Sequence, residues 1–518
     1  MGNRDKIIAY DLGTSGIKAS LYDAAGRQLA DTLSTYDTVY TGKKFHEQDP
    51  MQWWEGIRTT TKALLEKSGV AAGEILALSI SGHSLGAVPV SAEGEILVDR
   101  TPLWSDLRAE READAFFENV DYRNWYMCTG NGFPRECYSV FKIMWCRDHQ
   151  GDVYRRAAKF LGSKDLCNFL MTGRMCTDPS YASGSGVYSL LEGRYVPAYI
   201  EAAGIDADKL PEIIPSDGVV GHLTARAAAA LGLHEDVQVV CGGVDNSCMA
   251  LGARGIANNR VYLSLGSSAW IAVIADKPIL DFQYKPFVFA HVIPGMYASA
   301  TSIFAAGTSM RWARENLCPD LVEAERRGEI KDAYVAMNEM TERSPIGAKR
   351  LIFNPCLSGG SMIEEDAAIT GGFVGLNMGH DRNDLVRAVM EGITYNLRYA
   401  LEILKRYDPD IHEMLMVGGG SKSPLWRQMF ADVMRLDTIK TSIVQDAASL
   451  GAAALALKGL GLWPDYSRID ELHAVEARCV PNEANARKYD EMYKAHRAIA
   501  HFMAKSGRLL EEMFPDEA

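Results

Sequence analysis

The chain has 518 residues, 47% of them hydrophobic, with a formal net charge of −13 and a pI near 5.4. That length and apolar content suit large globular domains, and the acidic balance argues against nucleic acid or an anionic membrane surface as a partner. Ten cysteines without a C-x-x-C pair, no basic-plus-apolar leader and no apolar run of about 18 residues predict a reduced, cytoplasmic protein that does not enter a membrane.

The first predicted elements form a hairpin. Ile7 to Tyr10 reads as a strand, Ile17 to Tyr22 as its partner, and Asp23-Ala24-Ala25-Gly26 as the turn into a third strand. Between the first two lies Asp11-Leu12-Gly13-Thr14-Ser15-Gly16. Its glycines let backbone amides approach an anion and its hydroxyls add donors. The acid fits such a cradle when a divalent cation stands between it and a phosphate. The stretch therefore reads either as a Mg²⁺-nucleotide hairpin or as an ordinary tight turn. Asp49 to Glu66 has helical periodicity through Trp53, Trp54, Ile57, Thr61 and Leu64, and Ile75 to Ser81 is a strand leading into "GHSLGAV". Strands alternate with helices, which places the chain in the α/β class. Cys128, Cys137 and Cys146 read as buried thiols rather than metal ligands, because no tight zinc-type spacing accompanies them.

Further on, Val237 to Val240 is a short strand that runs through "CGGVD" to Asp245, at the start of an apparent helix. That aspartate reads as an N-cap or as a carboxylate placed to accept a proton. The stretch "RVYLSLGSSAWIAVIAD" then repeats the opening hairpin, with Gly266, Ser267 and Ser268 at its bend and Ala269 to Ile274 returning. Two such hairpins about half the chain apart predict two similar domains with a ligand between them. Leu385 to Leu401 follows one amphipathic helical stripe. Met414 to Val417 is a strand that meets Gly418, Gly419 and Gly420, followed by Ser423 as N-cap and Pro424 at the first helical position. Bare backbone there admits a flat ring or a ribose, and equally suits a packing turn. "DAASLGAAALALKGLG" reads as a small-residue helix made for close packing. From Asn482 onward a charged helix docks through Tyr489, Met492, Tyr493, His496 and Ile499.

Taken in order, "DLGTSGIKASLYD", "HEQDPMQWWEGI", "SGHSLGAV", "LWSDLRA", "GSKDLCNFLMTG", "CGGVDNSCMALG", "LSLGSSAWI", "AGTSMRW", "AVMEGITYNL", "VGGGSKSPLWRQMFADV" and "ASLGAAALA" resemble the FGGY carbohydrate kinases of the actin-like, hexokinase-like ATPase superfamily, most of all the xylulokinase-type branch. The resemblance implies an α/β fold of two actin-like (ribonuclease H-like) domains, residues 1–253 and 254–518, with an interdomain active-site cleft. It implies ATP and Mg²⁺ as cofactors. Asp11 would sit near the metal, and Gly13, Thr14 and Ser15 near the transferred phosphoryl group. Gly266 and Ser267 would form a second phosphate loop, with Gly307 at the nucleotide and Gly419 and Gly420 at the adenosine. Asp245 is the implied catalytic base, in a reaction that otherwise needs positioning and charge neutralisation.

The same resemblance implies His83, Ser84, Trp104, Asp106 and Arg108, with Asp245, as sugar contacts. Asp and Arg hydrogen-bond polyol hydroxyls and an indole face packs on C–H surfaces. Trp104 as a core residue, and Asp106 with Arg108 as a local ion pair, are the alternatives. The expected reaction is ATP-dependent phosphorylation of a sugar hydroxyl, in a ketopentose such as xylulose; a homodimer is left open. Two departures from the xylulokinase-type pattern bear on the sugar. His83-Ser84-Leu85 stands where a Gln-Met-His run is usual, and Gly359-Gly360-Ser361-Met362-Ile363 stands where Gly-Glu-Arg-Thr-Pro is usual. Both are compatible with another ketose or a polyol. A catalytically weak, nucleotide-binding sugar sensor of the same fold is the rival reading, although a sensor has no physical need for a base.

Overall fold

In the computed structural model, which describes residues 4–42, 44–361, 363–407 and 410–514, the chain divides into two units. The first comprises Met1–Asn258, Ile274–Ser299 and Asp446–His473; the second comprises Asn259–Val273, Ala300–Gln445 and Ala474–Ala518. The sequence-based expectation drew one boundary, after residue 253, whereas each unit collects segments that are distant in sequence.

The first unit opens with β1 (Lys6–Leu12), β2 (Gly16–Tyr22) and β3 (Gln28–Thr35). Ile7, Ile8, Ala9 and Tyr10 are all fully buried, as expected of a central strand covered on both faces. Helix α1 (Pro50–Ser68) starts where Asp49 accepts the Met51 amide at 2.8 Å and stops at Gly69, whose φ of 68° is left-handed. Its inward stripe of Trp53, Ile57 and Leu64 joins Ile8, Tyr10 and Leu12 in one core. Strand β4 (Ile75–Gly82) lies parallel to β1. A long excursion follows, carrying α2 (Ser139–His149) and α3 (Ser163–Thr172), with its own aromatic core of Phe116, Trp125, Tyr138 and Phe141. Cys137 and Cys146 are buried in that core. Strands β5 (Val219–His222) and β6 (Gln238–Val244) then enter the sheet, and β6 delivers the chain to α4 (Asp245–Gly252). The sheet order is β5–β6–β4–β1–β2–β3, with β1, β4 and β6 parallel.

The second unit repeats this plan. It has the hairpin strands β7 (Arg260–Leu265) and β8 (Ala269–Ala275), then β9 (Tyr297–Ile303), α5 (Gly307–Leu317) and the long buried α6 (Arg382–Lys405). Strand β10 (Glu413–Val417), α7 (Pro424–Met434) and β11 (Asp437–Thr441) follow. The chain then returns to the first unit as α8 (Ala447–Gly459), before β12 (Val475–Cys479) and α9 (Glu483–Met513) close the second. Strands β9–β8–β7–β10–β11–β12 are neighbours in that order, with β7, β10 and β11 parallel. Both sheets therefore run third hairpin strand, second, first, then two parallel strands, which is the duplication that the two glycine-rich bends predict.

Helix α8 shows why a segment so late in the chain belongs to the first unit. A Cβ on Gly451 would lie 2.0 Å from the Cys248 carbonyl oxygen, and one on Gly252 would lie 1.8 Å from that of Ala447. Only glycine permits this approach of α8 to α4, and the methyl-sized side chains around it let α8 also lie against β1 and β4. Among the described residues no helix is long and apolar enough to cross a membrane.

Candidate active site

The parallel strands β1, β4 and β6 end in register. Leu12 pairs with Gly82, and Gly82 with Val244. The carboxyl ends of parallel strands are where α/β sheets bind ligands, and here they gather Asp11, His83 and Asp245.

Asp11 accepts a hydrogen bond from Ser81 Oγ at 3.2 Å. Burial raises its pKa from 3.8 to about 6, against the lowering effects of that hydroxyl and of Lys18. Lys18 itself is ion-paired with Asp446, just before α8. Asp245 is the first residue of α4, one place inside the helix, and Val244 is the N-cap. The Asp245 side chain accepts the Asn246 amide at 2.8 Å. Burial lifts its pKa to about 7; the Asn246 amide opposes this and the negative charge of Asp11 adds to it. The preceding amide, of Val244, is held by Ser180 Oγ at 2.9 Å.

The bend between β1 and β2 is tied back by its carbonyls. Tyr36 OH donates to Gly13 O, Gln48 Nε2 to Thr14 O at 2.5 Å, and the Tyr36 amide to Ser15 O at 3.3 Å. Gln48 is itself oriented by Trp53 Nε1 at 2.9 Å and by Thr38 Oγ1 at 2.7 Å. With the Gly13 amide closing the turn on Gly16 O at 3.0 Å, the Thr14 and Ser15 amides are the bend's remaining backbone donors, an arrangement suited to an anion.

The sugar-loop candidates divide into two groups. His83 is 2% exposed, its ring edge-on to Trp53 with centroids 5.0 Å apart, and neither ring nitrogen has a hydrogen-bond partner. Burial drives its pKa down to about 4, so the ring is neutral at pH 7. Ser84 lies beside it, buried. Trp104 is 37% exposed rather than a core residue, and its Nε1 donates to Thr14 Oγ1 at 3.1 Å. Asp106 and Arg108, by contrast, bond each other. Asp106 accepts Arg108 Nε at 2.8 Å, Arg108 Nη2 at 2.8 Å, the Arg108 amide at 3.0 Å and the His46 amide at 2.7 Å. Arg108 also pairs with Glu47 at 2.6 Å and lies over the rings of Phe45 and Trp145. This is the ion-pair alternative, and it braces the loop that carries Trp104.

In the second unit the bend between β7 and β8 closes with the Gly266 amide on Ser268 O at 3.0 Å. The start of α5 grips it: the Gly307 amide donates to Gly266 O at 3.0 Å, and the Ala306 and Thr308 amides to Ser267 O at 3.1 and 3.0 Å. After β10 the chain turns at Gly418, with φ of 87°, and α7 is capped by Ser423 Oγ accepting the Trp426 amide at 3.1 Å. Gly266, Ser267, Gly307, Gly419 and Gly420 line one cavity of about 380 Å³ together with Arg311, Tyr334 and Lys422, a volume within the usual range for small ligands. Tyr334 and Tyr36 lie in none of the motifs, while Arg311 in "AGTSMRW" and Gln48 in "HEQDPMQWWEGI" sit inside motifs whose pattern does not single them out. Of the Gly359–Ile363 departure, Met362 lies outside the described residues.

The family model for the N-terminal domain of the FGGY family of carbohydrate kinases matches residues 6–252, and that for the C-terminal domain matches residues 261–460. A xylulose kinase from Bacillus subtilis (strain 168) is 28% identical over 494 residues, 95% of this chain and 96% of that protein. Two crystal structures from Lactobacillus acidophilus, a ligand-bound xylulose kinase and a gluconate kinase, each match with a TM-score of 0.88 at 25% identity, covering 98% of this chain and 99% of theirs.

Proposed function

Because the chain belongs to the FGGY family of carbohydrate kinases, we propose that it transfers the γ-phosphoryl group of ATP to a hydroxyl of a ketopentose such as xylulose. The observation that carries this reading is the pair of carboxyls at the strand ends of the first unit. Asp245, with a pKa of about 7, is matched to neutral pH as a general base, able to take the proton of an attacking hydroxyl. Asp11, beside the first bend, would hold Mg²⁺. Among the described residues no group of three or more His, Cys, Asp or Glu forms a metal cage, which suits an ion held by one carboxylate and the phosphates it arrives with. Held there, a divalent cation would supply neutralisation of the charge on the transferred group.

The second unit takes the nucleotide. The bare backbone at Gly419 and Gly420 receives the adenosine, and the Gly266–Ser268 bend with Arg311 receives phosphate. In the first unit the Thr14 and Ser15 amides hold the group in transfer. His83 and Ser84 contact sugar hydroxyls, Trp104 covers a C–H face, and Asp106 with Arg108 acts through the Trp104 loop. A neutral His83, and an Arg108 already engaged by two carboxylates, favour an uncharged sugar over an aldonate such as gluconate. We assign the protein to the cytoplasm.

The test is ADP release from ATP and Mg²⁺ with a panel of ketopentoses, ketohexoses, polyols and gluconate. A ketopentose should stimulate release far above the sugar-free rate. Equal rates with and without every member of the panel contradict the reading.

A further inference from the structure

Lys142 lies on α2 and is 2% exposed. Its Nζ donates to two main-chain carbonyls, Leu85 O at 2.9 Å and Leu103 O at 2.5 Å. Leu85 follows His83 and Ser84, and it holds φ at 63°, a left-handed conformation that a branched side chain rarely adopts. Leu103 immediately precedes Trp104. One turn earlier on the same helix, Ser139 Oγ donates to Gly86 O at 3.0 Å. Helix α2 thus grips the first sugar loop at consecutive residues and the second at the residue before its indole. A buried ammonium is costly to desolvate, and its three N–H groups can bridge separate chain segments.

We propose that Lys142 is a positioning residue for sugar recognition: its ammonium ties the loop of His83 and Ser84 to the loop of Trp104 and so fixes the spacing between the two sets of contacts. The inference rests on the sugar-kinase reading above. The charged and titratable groups facing the ammonium are Cys137, Asp106, Arg108 and His83. Burial lowers the lysine's pKa to about 8; Cys137 and Asp106 favour the ammonium and Arg108 opposes it. The clamp is charged below that pH and loses its charge as pH rises through it. Cys137, pushed up to about 12 by burial, does not titrate in the same window. The ammonium also helps to keep His83 neutral.

The experiment compares wild type, Lys142→Met and Lys142→Arg by hydrogen–deuterium exchange over residues 83–87 and 103–108, without ligands, and by steady-state kinetics. In Lys142→Met both loops should exchange faster, and the sugar KM should rise about tenfold or more while the ATP KM stays within about twofold. Lys142→Arg, which keeps a cation and several donors, should recover part of the loss. Wild-type sugar KM should climb between pH 7 and 9, and that climb should be absent from Lys142→Met. Unchanged exchange in both loops, sugar and ATP KM rising together, or a flat wild-type pH profile would each overturn the proposal. Should Lys142→Met fail to fold, the wild-type pH series and Lys142→Arg still decide it. Should wild type phosphorylate no sugar, the kinase reading falls and exchange alone judges the clamp.

Discussion

Replacing Asp245 with Asn should make the protein inactive and more stable at once. The substitution preserves shape and leaves an oxygen to accept the Asn246 amide, but removes the proton acceptor, so turnover should fall roughly 10²- to 10⁴-fold. The stability gain follows from linkage. Folding raises the Asp245 pKa from 3.8 to about 7, so the folded state binds this proton more tightly than the unfolded one. The contribution is fully present below about pH 4 and is lost as pH rises through about 7. At about 1.4 kcal/mol per pKa unit, ionisation at pH 8 costs the fold at most about 4 kcal/mol. Because the residue keeps part of its solvent exposure, the realised cost lies below that ceiling. Asn has no charge to bury, so Asp245→Asn should raise the urea midpoint at pH 8, with the gain vanishing toward pH 4. Wild-type kcat should fall about tenfold per pH unit below about 7. A folded Asp245→Asn protein with near wild-type turnover, or one less stable than wild type at pH 8, refutes this reasoning.

Asp11→Asn should lose activity that raised Mg²⁺ partly restores, a rescue that Asp245→Asn should not show; parallel Mg²⁺ titrations of both variants measure it. Gly307→Ala would put a Cβ 2.3 Å from Gly266 O, displacing the second bend, and should raise the ATP KM by about tenfold or more with little change in the sugar KM. Gly419→Ala meets nothing within 4 Å, so it should melt as wild type does and weaken ATP only through lost cavity space, seen by nucleotide titration. Asp106→Ala leaves Arg108, whose side chain is 4% exposed, with Glu47 as its remaining carboxylate partner, and should cost about 2 kcal/mol of stability in urea; an unchanged midpoint would show that the brace carries no energy.

Where function depends on local chemistry, the sequence speaks clearly. Both bends announce themselves through glycines and hydroxyls between apolar strands, and Ser423 caps its helix where the residue pattern places it, while Asp49, read as the start of a helix, is its N-cap. Asp245 is legible as the start of a helix, though it falls one position inside the cap. What escapes is set by tertiary pairing. Asp106 and Arg108 read either as polyol ligands or as a local ion pair, and only the fold decides for the pair and adds Glu47 to it. Lys142, in "VFKIMW", has nothing in its pattern to separate it from a snorkelling surface lysine until two distant carbonyls converge on it. The non-contiguous units are illegible for the same reason, since the approach of glycines on α4 and α8, with the Lys18–Asp446 pair and the Trp463 indole on Ala24 O, returns residues 446–473 to the first unit.

The central claim is that phosphate leaves ATP for a sugar hydroxyl. Phosphorus-31 NMR of the purified protein with ATP, Mg²⁺ and xylulose follows that transfer directly. A sugar phosphomonoester resonance should grow in step with ADP and be absent from Asp245→Asn. ADP accompanied only by inorganic phosphate, or no loss of ATP, would contradict it.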